Sequence, residues 1–130
     1  MNPALGYLVV FAGGGPGAAA RHAVNRAALT ILGPDYPAGS LLVNIAGSIA
    51  MGVLAGWFAF RGETVSASER LFLTTGVLGG FTTFSAFALD ATLMWERHDL
   101  GVVLLYVTGS VLLSIAGLIG GMFLVRLQLS

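Results

Sequence analysis

The chain has 130 residues, of which 56% are hydrophobic and only 9% are charged. Soluble globular domains carry about 25% charged residues, and charge this sparse cannot cover a water-facing surface, so a soluble fold is excluded. The absence of cysteine excludes disulfides and thiolate metal sites. Six arginines balance six acidic residues without forming a basic patch, which excludes nucleic acid as a partner.

Uncharged stretches follow one another along the chain at 1–20, 36–60, 71–89 and 100–125. A helix of about 20 residues crosses the hydrocarbon core of a bilayer. The sequence therefore predicts an all-α membrane protein, a single domain over 1–130, with four transmembrane helices at about 4–31, 37–60, 68–96 and 100–126. The first stretch lacks the basic region and the cleavage boundary of a signal peptide, and we expect it to be retained as a span.

The first span contains the glycine-rich run Gly13-Gly-Gly-Pro-Gly17. A phosphate-binding loop would need a preceding strand and a terminal lysine, so we interpret the run as glycines that let helices pack closely. The deepest charge of the chain, Arg21, follows this run, and we expect its side chain to snorkel or to collect anions at a vestibule. Neither histidine has metal-ligand spacing, and nothing in the sequence predicts an enzyme.

In the second span, small or polar residues recur at every fourth position, namely Asn44, Ser48, Gly52 and Gly56. Such a stripe is typical of close helix packing. An isolated membrane asparagine most often forms a hydrogen bond between helices. The two amide hydrogens of Asn44 could equally meet a desolvated anion.

The middle of the third span is rich in glycine and hydroxyl residues: Gly76, Gly79, Gly80, Thr82, Thr83 and Ser85. This composition favours a helix broken at mid-membrane, and broken helices there usually mark a binding site whose freed carbonyls coordinate a cation. A continuous helix packed through Gly76 and Gly80 is the alternative. Phe81, Phe84 and Phe87 recur every third position, which predicts either a packing stripe or ring edges along an anion path.

The fourth span carries hydroxyls at every fourth residue, at Tyr106, Ser110 and Ser114. Isolated membrane serines usually bond to their own backbone, whereas three aligned hydroxyls indicate a polar track. No acidic residue lies near the centre of any span. Proton-coupled carriers need such a group, and the four-span multidrug exporters depend on a glutamate in their first helix, so this sequence disfavours a small proton-coupled multidrug-type exporter. A membrane assembly protein without transport activity is a second alternative.

The arginines are divided equally between the two predicted faces of the membrane. One face carries Arg61, Arg70 and Arg126, and the other carries Arg21, Arg26 and Arg97. The positive-inside rule orients a protein through the difference between the two sides, and here that difference is zero. One dominant loop can still decide the orientation. The alternative is insertion in both orientations, followed by pairing as an antiparallel homodimer.

Three segments resemble the Fluc (CrcB) family of fluoride channels in their order, their spacing and the length of the chain around them. They are Gly14-Gly-Pro-Gly-Ala-Ala-Ala-Arg21, Gly39-Ser-Leu-Leu-Val-Asn44-Ile-Ala-Gly47-Ser48 and Gly76-x-x-Gly79-Gly-Phe-Thr-Thr-Phe84-Ser-Ala-Phe87. The resemblance covers nearly the whole chain, and the third segment is very specific. It implies a passive, fluoride-selective channel in the plasma or inner membrane of a prokaryote, which exports cytoplasmic fluoride and confers fluoride resistance.

The resemblance also implies an antiparallel, dual-topology homodimer with two pores and a structural sodium ion at its centre. The backbone carbonyls of Gly79 and Thr82 would hold the sodium, and Arg21 would lie in a vestibule. The fluoride pore would be lined by Asn44, Phe84, Phe87, Thr83, Ser85, Tyr106, Ser110, Ser114 and Ser40.

The sequence departs from the family pattern at a few positions. Ser40 stands where the family often has threonine, and Asp90 stands where it often has glutamate. Ala86 replaces a frequent threonine or serine. Phe81 occupies a position that often holds another apolar residue, so it is not assigned to the pore. We expect Asp90 to lie near Arg21 or Arg26, at the exit of the third span.

Overall fold

The computed structural model describes residues 2–97 and 100–129, which are almost entirely helical. The long helices are α1 (Pro3–Leu32), α2 (Ala38–Arg61) and α6 (Leu100–Leu129). Between α2 and α6 lie a 3-10 turn (Gly62–Thr64), α3 (Ala67–Leu71), a π-helical segment (Phe72–Leu78), α4 (Gly79–Phe81) and α5 (Ser85–Arg97). We call the stretch from Ala67 to Arg97 the third span.

Local sequence accounts for where the helices begin and end. The side chain of Asn2 accepts a hydrogen bond from the Ala4 amide at 2.9 Å, and a proline follows at the first helical position of α1. Helix α1 ends at Gly33, whose φ of 84° suits glycine alone among common residues. Ser66 and Glu69 form a reciprocal capping box at the start of α3.

Within residues 2–97 and 100–129, three helical stretches are long and apolar enough to cross a membrane: Ala38–Thr64, Ala67–Arg97 and Leu100–Leu129. Helix α1 has the necessary length, with 30 residues, but its glycines and Pro16 make it less apolar than these three. Large apolar side chains face outward, as Phe11 does with 82% of its surface exposed. The chain is therefore an all-helical, multi-pass membrane protein.

The third span is interrupted after α4. Thr82 has an extended backbone, with φ −87° and ψ 160°, and regular helix resumes at Ser85. We call residues 82–84 the interruption. Gly79 itself has ordinary helical dihedrals, φ −62° and ψ −38°. The change of backbone conformation therefore follows the glycine pair and begins at Thr82.

Glycines bring α1 and the third span into backbone contact. A Cβ at Gly17 would overlap the carbonyl oxygen of Val77, and one at Gly80 would lie 2.6 Å from the oxygen of Gly14. The glycine-rich run of α1 is thus a packing surface, as predicted. The stripe of α2 behaves similarly toward α6, where Gly52 leaves no room for a side chain beside the Leu118 oxygen. The buried apolar cluster is small and comprises Phe87, Met94, Val103 and Tyr106.

Candidate functional site

A cavity of about 500 Å³ lies between α2, the interruption and α6. Its lining includes most of the residues singled out in the sequence: Asn44, Gly79, Thr82, Thr83, Phe84, Phe87, Ser110 and Ser114. These residues come from α2, the third span and α6. The fold therefore brings the candidate cation ligands and much of the candidate pore lining to one place.

Asn44 holds the interruption from the side of α2. Its Nδ2 donates to the Thr83 carbonyl at 3.0 Å, and its Oδ1 accepts from the Thr83 amide at 2.9 Å. The expected interhelical hydrogen bond is therefore present, and it pairs with backbone instead of a side chain. The bond to Thr83 uses one of the two Nδ2 hydrogens, and Asn44 also lines the cavity.

At the interruption, two backbone amides do not donate to the carbonyls that they would reach in a continuous helix. In an α-helix, the Gly79 carbonyl would accept from the Thr83 amide, and the Thr82 carbonyl from the Ala86 amide. The Thr83 amide donates to Asn44 instead. The Ala86 amide donates to Thr83 Oγ1 at 3.1 Å. The Gly79 and Thr82 carbonyls thus lose their helical partners, and each belongs to a residue that lines the cavity.

Aromatic rings form a chain that starts in this cavity. Phe84 and Phe87 meet edge to face with centroids 5.6 Å apart, and Phe87 lies 5.4 Å from Tyr106. Tyr106 in turn meets Tyr36 edge to face at 5.8 Å. Phe84 is 78% exposed whereas Phe87 is 7% exposed. Phe81 lies in α4 and packs against Gly47, so the three phenylalanines do not share one helix face.

Two hydroxyls of α6 are buried without a hydrogen-bond partner in the described part of the chain. Tyr106 is 2% exposed and Ser110 is 4% exposed. A buried polar group left unsatisfied costs about 1–3 kcal/mol of stability. A hydrogen bond to water or to an ion would remove this cost for each hydroxyl. The Ser110 hydroxyl does not bond back to its own helix, which disfavours the usual role of an isolated membrane serine.

A second cavity, of about 280 Å³, lies at the end of the fold where α1 meets α2. Ser40 lines it and donates to Asp90 Oδ2 at 2.6 Å. Asp90 was expected beside Arg21 or Arg26, but its described partner is Ser40, and Arg97 is the arginine that shares the cavity with it. Tyr36 also lines this cavity, so the aromatic chain runs from one cavity to the other.

The remaining predicted site residues lie elsewhere. Ser85 is exposed and lines neither cavity, and Tyr106 is buried behind Phe87. Arg21 donates from Nε to the carbonyl of Gly80 at 3.1 Å, instead of pointing into either cavity. Sequence reasoning missed Ser48 and Met51, which line the larger cavity. The position of Ser48 one turn after Asn44 was the available signal.

Comparison with known proteins decides the family. The family model described as "CrcB-like protein, Camphor Resistance (CrcB)" matches residues 8–122. The chain belongs to the CrcB family. A protein of Methylobacterium nodulans named "Fluoride-specific ion channel FluC" is 55% identical over 122 residues, which cover 94% of this chain and 97% of that protein.

Other relatives carry similar names. "Fluoride-specific ion channel FluC 2" of Nitrobacter hamburgensis is 51% identical over 122 residues, 94% of this chain and 98% of that protein. A FluC protein of Caulobacter vibrioides is 45% identical over 119 residues, 92% of this chain and 94% of that protein. This CrcB-family chain thus matches these relatives over 92–94% of its length, and their names describe ion channels.

Proposed function

We propose that the protein is a fluoride-specific ion channel that lets cytoplasmic fluoride leave the cell passively and so confers fluoride resistance. The observation that carries this proposal is the identity of 45–55% to proteins of that name over more than nine tenths of the chain. The cavity chemistry agrees with it, because polar hydrogen-bond donors and aromatic edges converge there without a charged side chain.

The larger cavity offers what a small, strongly hydrated anion needs. Fluoride that leaves water must exchange its hydration shell for other donors. The free Nδ2 hydrogen of Asn44 and the hydroxyls of Ser110 and Ser114 supply such donors. Ring edges of Phe84 and Phe87 add the positive end of their quadrupoles. The Tyr106 hydroxyl, buried and without a described partner, extends the path toward the second cavity.

The working unit is proposed to be an antiparallel homodimer in which every chain crosses the lipid bilayer four times, α1 included. The equal division of arginines between the two predicted faces of the membrane supports insertion in both orientations. Phe84 and Gly79 are exposed on one chain although they border the cavity, so a second copy is needed to enclose it. In this proposed arrangement, the interruption of the third span lies at mid-membrane.

A structural sodium ion is proposed at the centre of that dimer. The described residues contain no cluster of three or more metal-ligating side chains, so backbone oxygens are the available ligands. The Gly79 and Thr82 carbonyls fit, because both have lost their helical donors and freed carbonyls at broken membrane helices bind Na⁺. When bound, the ion adds a fixed positive charge that lowers the energy of an anion nearby.

Fluoride efflux from proteoliposomes tests the function. The purified protein in vesicles loaded with potassium fluoride should release fluoride rapidly after potassium permeability is added with an ionophore. The release should not depend on a proton gradient, and chloride-loaded vesicles should release little. Efflux that follows the proton gradient would favour a proton-coupled exporter, and no efflux would favour an assembly protein.

A further inference from the structure

A charged side chain of α1 reaches the interruption. Arg21 Nε donates to the Gly80 carbonyl at 3.1 Å, in a partly buried contact. The midpoint of α1 falls between Gly17 and Ala18, so Arg21 lies about one turn beyond it. Arg21 is therefore nearer the centre of its helix than the uncharged stretch at 1–20 indicated. Charged side chains inside a membrane span are costly and are usually retained for a specific partner.

The partner of Arg21 is a carbonyl that the interruption has deprived of its donor. A continuous helix would give the Phe84 amide to the Gly80 carbonyl, but residue 84 lies outside the helix. The guanidinium supplies a replacement donor. Its positive charge also faces the negative end of a helical segment, which is the favourable arrangement. Arg21 thus acts as a cap supplied by a neighbouring helix.

The packing of α1 fixes this cap in place. Gly13, Gly17 and Arg21 are four residues apart and lie on one face of α1. At Gly13 a Cβ would lie 2.8 Å from the oxygen of Phe72, and at Gly17 it would overlap the oxygen of Val77. Because these contacts leave no gap between the backbones, the next residue on the face meets Gly80 at short range.

We propose that Arg21 is a positioning residue for the cation site. This proposal rests on the function and the sodium ion proposed above. Arg21 binds the Gly80 carbonyl while Asn44 binds the Thr83 carbonyl and amide. The two side chains together hold the backbone just before the interruption, at Gly80, and within it, at Thr83. The carbonyls of Gly79 and Thr82 lie between or beside these anchored groups and are kept in one arrangement for a monovalent cation.

The test uses the full chain purified in detergent and measures its unfolding temperature as sodium replaces N-methylglucamine. A cation that binds only the folded protein raises this temperature, and the rise grows with the logarithm of the ratio of the cation concentration to its dissociation constant. Arg21→Gln should raise about tenfold the sodium concentration that is needed for a given rise in the unfolding temperature, since a hydrogen bond to a charged group is lost. Arg26→Gln is the matched control, because Arg26 is an exposed arginine of the same helix and the same predicted membrane face.

An Arg21→Gln protein with the sodium response of Arg26→Gln would overturn the proposal. If Arg21→Gln does not fold, Arg21→Lys is compared with Arg26→Lys. The lysine keeps the charge but lacks the Nε donor, and we expect a shift in the same direction. A response equal to that of Arg26→Lys would show that the guanidinium bond from Nε to the Gly80 carbonyl is not needed, which also overturns the proposal. Wild-type protein that responds to sodium but releases no fluoride would contradict the proposed function and leave this inference standing.

Discussion

Asn44 and Thr83 exchange two hydrogen bonds, of 3.0 Å from Nδ2 to the carbonyl and 2.9 Å from the amide to Oδ1. The asparagine amide has the donor and acceptor of a peptide group and substitutes for the helical partners that Thr83 lacks. Buried backbone groups need such partners, above all in a membrane. A single side chain of α2 therefore makes the interruption possible and at the same time presents a donor to the cavity.

Replacing Asn44 by aspartate should separate these two bonds. The carboxylate keeps an acceptor for the Thr83 amide but faces the Thr83 carbonyl without a donor. We expect a loss of about 1–3 kcal/mol of stability, seen as a lower unfolding temperature, together with loss of fluoride efflux. Ser48→Ala, one turn along the same face, is the control and should unfold like the wild type. Equal unfolding temperatures for Asn44→Asp and Ser48→Ala would contradict the anchoring role.

Phe84→Ile tests the aromatic edge. Isoleucine keeps an apolar side chain of comparable bulk but has no ring edge, and Phe84 is 78% exposed on one chain, so folding should survive. We expect fluoride efflux to fall at least about tenfold, because the substitution removes from the path the positive ring edge that Phe84 offers to an anion. Phe87→Ile should also reduce efflux, with some loss of stability because Phe87 is buried against Tyr106.

Phe81→Ile is the internal control for this pair. Phe81 belongs to α4 and packs against Gly47, but Phe81 does not itself line the cavity. We therefore expect nearly normal efflux. If all three isoleucine variants behave alike in efflux and in dimer yield, the phenylalanines serve packing and their assignment to the ion path is wrong.

Tyr106→Phe separates conduction from stability. The hydroxyl is buried without a described partner, so removing it should leave the unfolding temperature equal or raise it, since an unsatisfied group costs about 1–3 kcal/mol. If the hydroxyl contacts the ion, efflux should fall although the protein is no less stable. Thr108→Val, at an exposed hydroxyl of the same helix, should change neither quantity. Unchanged efflux in Tyr106→Phe would remove Tyr106 from the path.

Helix positions followed from the sequence because charge and turn residues mark the ends of membrane helices. Helix α1 was expected at about 4–31 and runs from Pro3 to Leu32, where Gly33 has a positive φ. Composition favoured a helix break somewhere in the glycine- and hydroxyl-rich stretch from Gly76 to Ser85, but it did not fix the residue. The structure has the extended backbone at Thr82, since any residue can adopt that conformation, whereas Gly76 and Gly80 serve close packing against α1.

Side-chain partners were harder to predict than helices. Spacing identified Arg21 as the deepest charge, but only the contact between α1 and α4 shows that its partner is the Gly80 carbonyl. Ser40 and Asp90 are 50 positions apart, and their hydrogen bond depends on how α2 meets α5. Periodicity within one helix carries no information about such pairs, whereas it was sufficient to align Ser110 and Ser114 on the cavity.

The equal division of arginines predicts that orientation is easily biased. Lysines introduced at Thr64 and Ala67, two exposed positions beyond α2, should fix one orientation and abolish efflux. Lysines at Pro34 and Asp35, at the opposite end of α2, should fix the other. Coexpression of the two locked proteins should restore efflux to near the wild-type rate. Normal efflux from either locked protein alone would show that an antiparallel pair is not required.

Gly79→Ala tests the dimer centre and the cation site together. Gly79 is exposed and helical, and the nearest atom to an added Cβ within the chain is the Thr74 oxygen at 3.6 Å, an ordinary contact. The methyl group therefore fits one chain, and helix content measured by circular dichroism should not change. Against a second copy or a bound cation, an added methyl costs about 1–3 kcal/mol. We expect the dimer fraction on size exclusion to fall. The sodium concentration needed for a given rise in the unfolding temperature should increase about tenfold.

Gly15→Ala, where an added Cβ has open space around it, is the matched control. A Gly79→Ala protein with the dimer fraction and sodium response of Gly15→Ala would place both the partner chain and the cation away from Gly79.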